Sequence, residues 1–125
     1  MQAQPYTQKQ KSQIEKVRTV FSGYIQNSPY IDLLWSEKLG YLLVSVNPEA
    51  EKGSALESDP LVIKSAEMLC DLLLNEILLD VINSSGKGHD CDDPDEEECA
   101  EIQKRLRPYM EQLPEYERLA GELFS

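Results

Sequence analysis

A chain of 125 residues that is 41% hydrophobic and 28% charged has the balance of a globular protein and the length for one domain, residues 1–125. Its net charge of −11 is uneven: Lys9, Lys11, Lys16 and Arg18 against Glu15 give the first 28 residues +3, so the remainder carries −14. Such a surface repels phosphate backbones, which argues against nucleic acid as a partner, and no apolar run is long enough to span a membrane.

Residues 1–8 read as a frayed N-terminal tail. From about Lys9 to Asn27, Ile14, Val17, Val20, Phe21, Tyr24 and Ile25 recur at helical spacing, which predicts an amphipathic helix with one buried stripe. Pro29 closes it, because the residue before a proline is driven out of helical geometry.

Residues 30–47 predict a β-hairpin. With Glu37–Gly40 as a four-residue loop, Trp35 faces Leu42, Leu33 faces Val44 and Ile31 faces Val46. Trp35 is the expected anchor of that face. Two strands alone are marginal, and their outer edges offer unpaired main-chain groups to a partner.

Asp59-Pro60 is the start signal of a long helix running to about Asn83, with Asp59 as cap and Pro60 at the first helical position. At 100° per residue its wide apolar arc holds Val62, Ile63, Ala66, Leu69, Cys70, Leu73, Leu74, Ile77 and Val81. Leu61, Met68, Leu72 and Leu79 form a second, narrower stripe bordered by acids and asparagines. That resembles a helix–helix contact seam, for a protein partner or a second copy of the chain.

Residues 84–93 read as a flexible acidic loop. Asp93-Pro94 with Glu96 then repeats the helix-start signal, as a capping box. The third helix carries Cys99, Ile102, Leu106, Tyr109 and Met110 on one stripe, and Pro108 is expected to bend or end it near Leu106 or Arg107. Pro114 opens a last short helix with Tyr116, Leu119, Ala120, Leu123 and Phe124 inward.

The chemistry-bearing residues are few. His89, Cys91 and Cys99 lack the paired cysteines and fourth ligand of a closed zinc site. A calcium loop opening at Asp90 fails because Asp95 stands where glycine is needed. Neither a metal nor another cofactor is therefore expected. Carboxylates around Cys91 oppose thiolate formation, and none of the familiar catalytic motifs occurs, so no catalytic residue is assigned. The acids Asp90, Asp92, Asp93, Asp95, Glu96, Glu97 and Glu98 form an acidic surface suited to a basic protein.

The fold class expected is α+β and mainly helical: a helix, a hairpin, a long central helix and two shorter C-terminal helices. The function expected is a non-enzymatic interaction module, a regulator or adaptor working through the helix seam or the hairpin edge. Its alternatives are an acidic nucleic-acid mimic that inhibits a basic protein, and a small enzyme with a carboxylate site. Three cysteines and a polar N-terminus fit a cytoplasmic protein with reduced thiols.

Overall fold

The computed structural model describes residues 6–51, 59–86 and 95–119. The fold is α+β and mainly helical: α1 (Gln8–Val20), α2 (Ser22–Asn27), β1 (Ile31–Ser36), β2 (Gly40–Ser45), β3 (Leu61–Val62), α3 (Ala66–Ser85) and α4 (Glu96–Gln112), then a 3-10 helix over Pro114–Leu119. The chain divides into two compact units, Met1–Ala66 and Glu67–Ser125.

In the first unit, α1 begins with a reciprocal capping box. Thr7 Oγ1 accepts from the Gln10 N–H and Gln10 Oε1 accepts from the Thr7 N–H. Ile14, Val17 and Phe21 from the predicted stripe are fully buried, and each such side chain contributes about 1.5–3 kcal/mol of transfer free energy. The single helix expected over this region is two, because Phe21 leaves helical geometry between α1 and α2. Nor are residues 6–8 a frayed tail: Tyr6 is buried, Thr7 caps, and Gln8 is the first residue of α1.

The sheet is antiparallel, in the order β1-β2-β3. The hairpin forms, but one residue out of the expected register: Trp35 faces Tyr41, Leu33 faces Leu43 and Ile31 faces Ser45. Gly40 is not in the loop. It pairs with Ser36, and the turn covers only Glu37–Leu39, with the Leu39 N–H donating to Ser36 Oγ at 3.1 Å. Gly40 has a φ of +90°, and a Cβ there would lie 2.5 Å from the Tyr6 hydroxyl, so both backbone and space demand glycine. A slip of one residue exchanges the faces of β2, so Tyr41 and Leu43 share a side with Trp35 while Leu42 and Val44 turn away.

The helix expected from Pro60 begins six residues later. Leu61 and Val62 instead pair with Leu43 and Leu42, and the Ile63 N–H donates to Tyr41 O at 2.9 Å. An edge of β2 awaiting main-chain partners outweighs a local capping signal.

In the second unit, α3 buries Leu69, Cys70, Leu73, Leu74, Ile77 and Val81, the arc predicted for it, and Gly86 follows its end at φ +69°. The fourth helix starts two residues beyond the predicted box. Asp95 Oδ1 accepts from the Glu98 N–H and Glu98 Oε1 from the Asp95 N–H. Pro108 does not end it; α4 continues to Gln112. Lys104 and Pro108 both lie on an exposed face, where water can satisfy the carbonyl deprived of its partner. The last helix is a 3-10 helix with Tyr116 buried; Ala120, Leu123 and Phe124 lie outside the described residues.

Candidate functional site on the sheet

The large apolar side chains left exposed among the described residues are Tyr30, Leu34, Trp35, Leu39, Leu61 and Val62, between 39% and 53% accessible. Leu34, Trp35, Leu61 and Val62 belong to the sheet, Tyr30 immediately precedes β1, and Leu39 lies in the β1–β2 turn. Cross-strand pairing sets Leu34, Leu42 and Val62 in one row across the three strands. Leu34 and Val62 are exposed and Leu42 is half-buried, so this row is an apolar stripe open to solvent.

The opposite face of the sheet meets α1. Lys11 Nζ lies 4.7 Å above the Trp35 ring, a cation–π contact. Trp35 stands edge-on to Tyr41 at 4.8 Å between ring centroids, and Tyr6 lies 5.7 Å from Tyr41. The Tyr41 hydroxyl donates to Glu15 Oε1, and Arg18 Nη1 donates to Glu15 Oε2 at 3.2 Å. Burial, then the Glu15 carboxylate, pushes the Tyr41 phenol well above its ordinary pKa. Tyr41 therefore serves here as a protonated hydrogen-bond donor. Together Lys11, Glu15, Arg18, Leu33, Leu34, Trp35 and Tyr41 line a groove of about 220 Å³.

Tyr6 supports this groove from within. Its hydroxyl accepts from the Tyr41 N–H at 2.9 Å and donates to Ile63 O, both buried bonds. The phenol oxygen is thus inserted into the β2–β3 ladder in place of a direct bond from the Tyr41 N–H to Ile63 O, while the reciprocal bond from the Ile63 N–H to Tyr41 O stays direct. Reading residues 1–8 as a tail misses this residue. The signal that would have found it is Thr7-x-x-Gln10, a capping box that puts Tyr6 immediately before an ordered helix.

The site residues expected from the sequence divide between the two units. Trp35 belongs to the groove, though half open rather than a closed core anchor. Leu61 is not on the helix with Met68, Leu72 and Leu79; it lies in β3, so the four do not form one stripe. Met68, Leu72 and Leu79 are half-buried along α3, and none of them is among the exposed apolar side chains.

The acidic surface is also smaller than expected. Asp90, Asp92 and Asp93 lie outside the described residues, as do His89 and Cys91. Asp95 caps α4, and Glu98 is 2% exposed, its carboxylate taken by the Asp95 N–H and by Ser85 Oγ at 2.7 Å. Glu96 and Glu97 remain on the surface. A buried capping carboxylate is a structural group, and in sequence it is indistinguishable from its exposed neighbours.

Other features of the second unit offer less. A groove of about 340 Å³ lies along α4 alone, lined by Lys104, Arg107, Pro108 and Glu111 among others. Burial pushes the Cys70 thiol up to about 12, which keeps it protonated and unreactive. No three His, Cys, Asp or Glu side chains among the described residues are gathered as a metal site, and no described helix is long and apolar enough to cross a membrane. Comparison with protein families, with curated proteins and with solved structures finds no match to the chain.

Proposed function

We propose that this protein is a non-enzymatic interaction module that engages a protein partner through the hairpin sheet. The observation that carries the proposal is the location of the exposed apolar side chains, all on the sheet, just before β1 or in the β1–β2 turn. Packing a small sheet on one helix face leaves Leu34 and Val62 of its other face in water, and a partner that covers them with Leu42 removes that cost. The groove chemistry agrees, since an aromatic floor beside the Lys11 and Arg18 cations is a set of recognition groups. A regulator or adaptor in the cytoplasm is the role we assign, and the buried, unbridged thiol of Cys70 is compatible with that location.

The test is site-specific photo-crosslinking in the protein's native cells, with the photoreactive residue at position 34, 72 or 104. Adducts at Leu34 and none at Lys104 are expected. Adducts formed solely at Leu72 would return the interface to the α3 seam, and adducts at no position would remove the proposal.

A further inference from the structure

The structure specifies more than an apolar surface, because one edge of the sheet is left unpaired among the described strands and its flank is charged. The Val46 N–H donates to Tyr30 O at 2.7 Å. Antiparallel pairing alternates, so residues 30, 32, 34 and 36 face β2, while the main-chain groups of Ile31, Leu33 and Trp35 point outward. Among the described residues no strand pairs with this edge; β3 closes the other side of the sheet. The Leu33 N–H is engaged by Asp32 Oδ1 at 2.9 Å, a local bond to the neighbouring residue that an incoming carbonyl can replace.

From these features, and building on the sheet-docking reading above, we infer that the β1 edge binds an extended acidic segment of a partner protein. The segment adds as a fourth strand, and its carboxylates lie beside Lys11 and Arg18. The charge distribution supplies the reason. Lys11 and Arg18 line the groove beside this edge, with Glu15 paired to Arg18, on a helix that carries +3, whereas the chain beyond residue 28 carries −14 and disfavours an acidic segment elsewhere.

Side chains opposite Leu33 and Trp35 on an added strand lie on the α1 side, where Lys11 sits over Trp35 and Arg18 lines the groove. Those opposite Leu34 lie on the apolar face. The preferred segment is therefore alternately acidic and apolar, over about six residues, the length of β1. A second copy fits this edge poorly. Pairing two β1 edges brings two cationic α1 helices, and the two Asp32 carboxylates, to the same junction.

The test uses the full chain and three N-acetylated peptides of about eight residues, alternating glutamate, lysine or serine with valine. Trp35 fluorescence reports binding, amide exchange of Ile31, Leu33 and Trp35 reports strand addition, and light scattering reports self-association. The glutamate peptide is expected to bind and protect the three amides. Raising salt from about 50 to about 500 mM should weaken it about tenfold or more. The Lys11→Glu/Arg18→Glu pair should do the same, and Lys11→Gln/Arg18→Gln by a smaller factor.

Equal or tighter binding of the lysine peptide, or no response to either pair of substitutions, overturns the inference. Amide protection by the serine peptide and not by the glutamate one removes the acidic partner but keeps sheet docking. Protection by none of the peptides removes edge pairing altogether. Concentration-dependent dimerisation that protects the same amides replaces the acidic segment with a second copy.

Discussion

Replacing Tyr6 with phenylalanine removes one oxygen atom and tests the support of the whole site. The ring contacts with Trp35 and Tyr41 survive the substitution, so the apolar packing is unchanged. What is lost is the acceptor for the Tyr41 N–H and the donor for Ile63 O, two buried main-chain groups. Leaving each unsatisfied costs about 1–3 kcal/mol, so Tyr6→Phe should destabilise by about 2–6 kcal/mol. That is a large part of the ~5–15 kcal/mol that holds a domain folded. Trp35 is the single tryptophan, and it lies beside this cluster, so urea titration followed by its fluorescence reports the local unit. Tyr30→Phe, at an exposed ring, is the control and should change stability by less than about 0.5 kcal/mol. An equally small effect of Tyr6→Phe, with the Tyr41 amide still protected from exchange, would mean that the Tyr41 N–H bonds Ile63 O directly without the hydroxyl. The inserted-hydroxyl argument would then be refuted.

Other outcomes follow from the same geometry. Gly40→Ala must place a Cβ against the Tyr6 ring at positive φ, and should cost about 2 kcal/mol or more by the same titration. In a Tyr6→Ala background the increment should shrink, giving a coupling of about 1 kcal/mol. Glu98→Ala breaks the α4 capping box and removes the carboxylate that Ser85 Oγ and the Asp95 N–H both contact, at about 1–2 kcal/mol in a thermal melt, whereas exposed Glu96→Ala should stay within about 0.5 kcal/mol. Burial, and then Asp80, raises the Glu76 carboxyl above its ordinary value. The folded state therefore holds that proton more tightly than the unfolded chain, and the Glu76 contribution declines as pH rises through the carboxylate range and above it. Glu76→Gln should consequently stabilise the protein more at pH 7 than at pH 4, and a paired melt showing the reverse would contradict the shift.

The parts of this fold legible in the sequence were those decided by local periodicity. Ile14, Val17 and Phe21 on α1, Leu69 to Val81 on α3, and Ile102, Leu106 and Met110 on α4 are buried as their spacing demands. The parts not legible were decided by residues distant in the chain. Nothing near Asp59-Pro60 reveals that β2 needs partners at Leu42 and Leu43, and that need turns Leu61 and Val62 into a strand. Nothing near Gly40 reveals that Tyr6, 34 residues earlier, fills the space behind it. Glu98 looked like surface because charge run and cap are written with the same residue types, and only the position of Ser85 separates them.

These non-local choices also determine where the proposed partner would attach. In the expected register, Trp35 would face Leu42, and Tyr41 would lie on the other side of the sheet, away from Glu15 and Lys11. The groove would not form. A helix starting at Pro60 would leave β2 open as well as β1, and a hairpin with two free edges has no means of choosing between them. With β3 in place, β1 is the edge left to a partner among the described strands, and it is the one flanked by Lys11, Arg18 and the half-exposed Trp35. The direction of the proposed recognition therefore follows from the two-residue strand Leu61–Val62, which closes one side of the sheet and lines no part of the groove.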